Sequence, residues 1–311
     1  MKIFDLHQDL MTHMRFRDAM GQAPQTDFNA LEESPVALVV ATAFPLPASE
    51  DQRDSSALEL IEEELTLYRE YVSESTDWLI VREVEDLRAP KKKLLLHIEG
   101  LNVFADTTAS WQTLHNWVIE GVRSVGTHWN IANALGGGTL QPELPLTPLG
   151  VEVISYLETN NIIFDMAHMG RATWWDAAKQ STRPLYVSHG NADAVCPHLR
   201  NYTDAQLYAI AESGGLIGVF FPKTFTVPKG GDTTRSAVIN QIEYIRHLIG
   251  IEHIAIGSDF GGIVSGCVKG LSHVRDMPAL FDDLYELGYT DEMIDLLAWK
   301  NAARVLSTHL A

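Results

Sequence analysis

The chain has 311 residues, 46% of them hydrophobic and 21% charged, with a formal net charge of −18. That length suits one large α/β domain, because barrels of roughly 250 residues fold as single units. The acidic balance argues against nucleic acid and anionic membrane surfaces, which need a basic patch; the short run Lys91, Lys92 and Lys93 reads as a solvated strand edge.

The elements alternate from one end to the other. KIFDLH (2–7) opens the chain as a strand, without a charged leader and apolar segment, so no signal peptide is expected. VALVVATAF (36–44) is the second strand. SSALELIEEELTLYREYV (55–72) then places Leu58, Ile61, Leu65, Tyr68 and Val72 at helical spacing, with carboxylates on the other face. Strands follow at KLLLHIE (93–99), GVRSVGTH (121–128), NIIFDMAH (161–168) and PLYVSHG (184–190). TDAQLYAIAES (203–213) predicts a helix with Thr203 as N-cap. GLIGVFF (215–221) is a strand, RSAVINQIEYIRHLIG (235–250) a helix closing at Gly250, and HIAIGSD (253–259) the last strand.

Most of these strands are continuous apolar runs, the pattern of parallel strands buried on both faces. Eight strands, each followed by a helix, predict a (β/α)8 TIM barrel, taken as a single domain over 1–311. An open doubly wound sheet is the weaker alternative, since no G-x-G-x-x-G follows the first strand. No window holds the roughly 20 apolar residues of a transmembrane helix. Cys196 and Cys267 lie in no C-x-x-C, so a reducing, cytoplasmic location is expected.

In such a barrel the active site lies at the C-terminal ends of the strands. Those ends carry His7 and Asp9, Glu99, His128, His168, His189 and Asp259. His7 and Asp9 are two apart, so on an extended chain both point to one side and can grip one ion. Nitrogen and oxygen ligands without thiolate favour zinc, with manganese, cobalt or iron as alternatives. The set exceeds what one closed tetrahedral site uses, and two bridged metals fit it better. His97 is placed a layer deeper, behind the site. His13, His115, His198, His247, His253, His273 and His309 fall on helices or loops and read as surface residues. A serine nucleophile lacks its G-x-S-x-G elbow, and Cys196 sits on an ordinary loop.

These motifs together resemble the renal (membrane) dipeptidases, zinc peptidases of the amidohydrolase superfamily. FDLHQDL, LLLHIEG, FDMAHMG, PLYVSHGNADAVCPHLRNYTDAQLYAI, HIAIGSDFGG and NAARVL match that family's segments in order along nearly the whole chain. The resemblance implies that His7 and Asp9 bind one zinc, His168 and His189 a second, and that Glu99 bridges them. It implies that Asp259 contacts a bridging hydroxide and carries its proton to the leaving amine. Arg200 would pair with the free carboxylate of a dipeptide; by sequence alone it reads equally as a cap of the following helix. Dipeptides, including L,D-dipeptides, are the implied substrates, and a homodimer is a common state in that family.

Three positions depart from the pattern. Trp129 stands where the family has a substrate-facing histidine, with His128 one residue early and therefore facing the other way. Gly261 replaces the second aspartate of D-F-D-G, and Pro222 replaces an aromatic residue. They predict a substrate pocket unlike the renal enzyme's. An amidohydrolase acting on a lactam or other amide is the second reading, and a non-catalytic metal-holding barrel the third. The long loops 129–148 and 221–234 are expected to set specificity or act as lids.

Overall fold

The computed structural model describes residues 1–12, 23–44 and 57–311. Its strands are β1 (Ile3–Gln8), β2 (Val36–Ala43), β3 (Trp78–Ile80), β4 (Lys92–Glu99), β5 (Val122–Gly126), β6 (Ile163–Asp165), β7 (Tyr186–Gly190), β8 (Leu216–Val219) and β9 (Ile254–Ile256). Parallel pairing joins β1 to β9, β8 to β9, β3 to β4, β4 to β5, β5 to β6, and β6 to β7. The strand order β2-β1-β9-β8-β7-β6-β5-β4-β3, with β2 also pairing β4, is the connectivity of a (β/α)8 barrel in which β3 is an extra strand. The described residues form two compact units, Met1–Val39 with Val187–Val305 and Val40–Tyr186 with Leu306–Ala311.

In the first unit every residue of β1, IFDLHQ, is buried, as an apolar run with both faces covered requires. The helix Asp204–Glu212 starts where expected: Thr203 caps it and exchanges a capping box with Gln206. Ser236–Ile249 ends at Gly250, whose φ of 91° suits the residue without a side chain. The closing helix Asn301–Leu310 is fastened by Asn301 Nδ2, which donates to Ile251 O at 2.7 Å and Ile254 O at 2.9 Å.

The second unit departs from expectation in instructive places. In the helix Ala57–Glu74, Ile61, Leu65 and Tyr68 are buried as the spacing predicts, while Leu58 is exposed. Glu64, expected on the solvent face, is buried because its carboxylate accepts the Phe44 N–H at 2.8 Å just past β2. Lys93 is also buried, its Nζ donating to Ala89 O and Lys91 O. The three-residue β3 was not legible, being too short for any period.

Strand ends are shorter than expected. The run 161–168 is extended only over Ile163–Asp165, because the Ala167 N–H turns back to Asp165 Oδ1 at 3.0 Å. His309, expected at the surface, is buried with Nε2 2.9 Å from Pro184 O. His253 and His198 are half-buried, and His13 lies outside the described residues. No described helix is long and apolar enough to cross a membrane.

Burial pushes His128 and His309 down to about 4 from the ordinary 6.5. Each is held neutral in the fold, so the unfolded chain takes up protons that the folded chain refuses. Their stabilisation is complete above pH 6.5 and is lost as pH falls toward 4. Each should contribute roughly 3 kcal/mol to that loss. Denaturant titrations of His309→Gln against the parent, from neutral pH downward, should show a shallower decline by about one proton. An unchanged slope would contradict this account.

Candidate metal centre

In the first unit the site begins where β1 meets the exit of β9. Asp259 N donates to His7 O at 3.0 Å, and Asp9 N to Phe260 O at 2.8 Å. This lacing sets three side chains side by side. His7 Nε2 lies 3.4 Å from Asp9 Oδ2 and 4.0 Å from Asp259 Oδ1, and one ligand atom from each falls within 4.8 Å of the others. His7 and Asp9 are buried; Asp259 keeps some exposure. Asp259 has φ 67°, in the left-handed region that side chains rarely adopt.

Two further residues support this corner. Asp5, which no motif singles out, accepts hydrogen bonds from Ser258 N (2.8 Å), Ser258 Oγ (2.6 Å) and Gln8 Nε2 (2.6 Å). Full burial raises its pKa, and those hydrogen bonds oppose the rise. A carboxylate amid the apolar run IFDLHQ was the available signal. Gly261 has φ 95°, and a Cβ there would sit 2.4 Å from Asp9 O. A second aspartate at this position would therefore need the Asp9 backbone to move.

His189, near the end of β7, packs its ring on that of His7 with centroids 3.9 Å apart, and its Nδ1 lies 2.8 Å from Ser188 Oγ. Arg200 is 4% exposed. Its Nη2 donates to His189 O at 3.3 Å, and its guanidinium lies 5.4 Å from the Phe220 ring centroid. No acidic side chain among the described residues pairs with it. The capping role considered for Arg200 belongs to Thr203 instead.

The second unit holds Glu99, at the end of β4, with Oε1 3.0 Å from His168 Nε2. His168 has φ 64°, and its Nδ1 lies 2.9 Å from Asn130 Oδ1. The Trp129 ring stacks on His168 at 6.1 Å and meets Phe44 at 5.0 Å. His128 turns away, fully buried, with Nδ1 2.9 Å from Thr127 Oγ1. Trp129, not His128, is thus the residue beside His168, as the alternation predicts. His97 lies deeper, with Nδ1 2.8 Å from Ser124 Oγ and Nε2 3.7 Å from Asp165 Oδ2. Asn130 was missed, because nothing in the sequence marks a loop asparagine as a histidine's partner.

The donor atoms fit a divalent metal. Two ligand atoms bound at about 2.1 Å lie about 3.4 Å apart at a tetrahedral angle and about 3.0 Å apart at a right angle. His7–Asp9 and His168–Glu99 show 3.4 Å and 3.0 Å. Imidazole and carboxylate donors without thiolate suit zinc and its neighbours equally.

Comparison with known proteins agrees. The chain matches the family described as membrane dipeptidase (peptidase family M19) over residues 1–310. It is 33% identical to an uncharacterized protein from the pqqA 5′ region of Klebsiella pneumoniae, over 80% of this chain and 96% of that one. The structure of dipeptidase AC, a metallopeptidase of family M19, superposes with TM-score 0.87 at 22% identity, covering 100% of this chain and 99% of that one. A metallopeptidase from Rhodobacter sphaeroides, liganded with a phosphinate mimic of L-Ala-D-Ala, gives TM-score 0.86 at 22% identity, covering 99% of both. On the strength of the whole-length match, the chain belongs to the membrane dipeptidase family, peptidase family M19, and is a metal-dependent hydrolase.

Proposed function

We propose that this enzyme hydrolyses dipeptides bearing a free C-terminal carboxylate, L,D-dipeptides among them, with two zinc ions. His7 and Asp9 would hold one ion, His168 and His189 the other, and Glu99 would bridge them. The observation that carries the substrate reading is Arg200: a guanidinium 4% exposed, with no acidic partner among the described residues. A buried cation is costly unless an anion joins it, and a carboxylate matches its planar fork. The mimic bound by the Rhodobacter sphaeroides relative ends in a D-residue, which favours the L,D class here.

When bound, the metals supply an acidified water and a Lewis acid for the scissile carbonyl. The chain's own groups do the rest. Asp259 accepts the proton of the attacking water at its carboxylate and passes it to the leaving amine. Arg200 orients the substrate from its far end, so the scissile bond is held rather than found by diffusion. Phe220 under Arg200 and Trp129 beside His168 keep water from both positions. The unpaired cysteines, Cys196 and Cys267, support a reducing compartment, which we take to be the cytoplasm.

Elemental analysis should find about two zinc ions per chain, removed by chelation together with activity and restored by zinc. Arg200→Ala should lower kcat/KM about 30- to 1,000-fold, chiefly through KM. The matching dipeptide amides should be poor substrates for the parent and indifferent to that change. Equal loss on acids and amides would move the substrate to another amide class. Asp259→Asn should lower kcat roughly 100- to 10,000-fold with metal content unchanged. Loss of a metal in that variant would make Asp259 a ligand rather than the proton carrier.

A further inference from the structure

We propose that Asn130 is a positioning residue that fixes the tautomer of His168, making the loop after β5 a working part of the metal centre. This rests on the ligand roles given above to His168 and Glu99. Asn130 Oδ1 lies 2.9 Å from His168 Nδ1. An amide oxygen only accepts, so Nδ1 carries the ring proton. In the neutral imidazole that makes Nε2 the acceptor nitrogen. Nε2 is the atom 3.0 Å from Glu99 Oε1. Two acceptors that close repel each other unless a cation or a proton lies between them. With the proton on Nδ1, a metal ion bound to both atoms would meet that condition.

The loop is built to deliver that contact. The carbonyl of His168 accepts from both Thr139 N and Thr139 Oγ1 at 3.0 Å, which holds its left-handed backbone. Gly138 bridges Met169, and Gly170 N donates to Gly137 O at 2.8 Å. The loop also folds on itself, with Leu140 N on Asn130 O at 2.7 Å. A Cβ at Gly138 would lie 2.5 Å from that carbonyl, so this turn admits glycine alone without rearrangement. Asn130 itself sits at φ 52°, a conformation that asparagine tolerates better than most residues. Without its side chain the ring is free to protonate Nε2 instead. Nε2–H would then donate to Glu99 and compete directly with metal.

The test uses Asn130→Gly and Asn130→Asp, since both residues accept a positive φ and only the second retains the acceptor. Zinc affinities are read by competition with a chromophoric chelator, alongside metal content. Asn130→Gly should weaken one zinc about 10- to 100-fold and leave the other unchanged. Asn130→Asp should stay near the parent. Parental affinity for both ions in Asn130→Gly, or equal loss in both variants, would overturn the proposal. Imidazole ¹⁵N spectra of the parent at about pH 8, before zinc is added, provide a check that needs no variant. They should show His168 protonated at Nδ1, and protonation at Nε2 would overturn the assignment. A parent that binds no zinc would instead sink the ligand roles themselves, together with the proposal that rests on them. Two tight zinc ions in both the parent and Asn130→Gly would count against Asn130 alone.

Discussion

The hydrogen bond from Asp259 N to His7 O, followed by the one from Asp9 N to Phe260 O, is the constraint on which the first unit's chemistry depends. Side chains two residues apart on an extended chain share a side, so fixing the backbone fixes where His7, Asp9 and Asp259 meet. The buried carboxylate of Asp5 secures the same junction from below. It grips Ser258 by both its N–H and its hydroxyl, one residue before Asp259. Leaving such buried groups unpaired would cost about 1–3 kcal/mol each. The network therefore resists the small shifts that a metal site tolerates least.

Left-handed backbone recurs at the candidate residues of each unit. Asp259 and His168 stand at φ 67° and 64°, and Asn130 at 52°. Such conformations cost of order 1–3 kcal/mol for residues with side chains and persist only where the surroundings enforce them. Here the enforcement is visible: His7 O holds Asp259 by its N–H, and Thr139 holds His168 by its carbonyl. Both residues follow a strand by three positions, His168 after β6 and Asp259 after β9. The same steric economy holds at Gly261, whose backbone packs closely against Asp9 O.

Electrostatics divides the labour. Acceptors gather around His7, while the cation Arg200 is buried against the face of Phe220. Ring quadrupole and backbone carbonyl shield the guanidinium without neutralising it. In the function proposed above, that charge would meet the carboxylate of the substrate.

The barrel and the polar residues at its strand ends were legible in the sequence because both follow local rules. Buried parallel strands read as apolar runs, and His7 with Asp9, Glu99, His168 and His189 interrupt those runs at their ends, where burial of a polar group needs a reason. Thr203 and Gly250 marked helix ends by their own backbone chemistry. Tertiary structure alone decided the rest. Glu64 and His309 are buried because partners distant in sequence, Phe44 N and Pro184 O, satisfy them, and no periodicity encodes such a partner. Asn130 reaches His168 across 38 residues only because the glycine run 136–138 lets the loop close on itself. Residue types set what chemistry this chain could do; three-dimensional hydrogen bonding, blind to sequence distance, set which atoms face which.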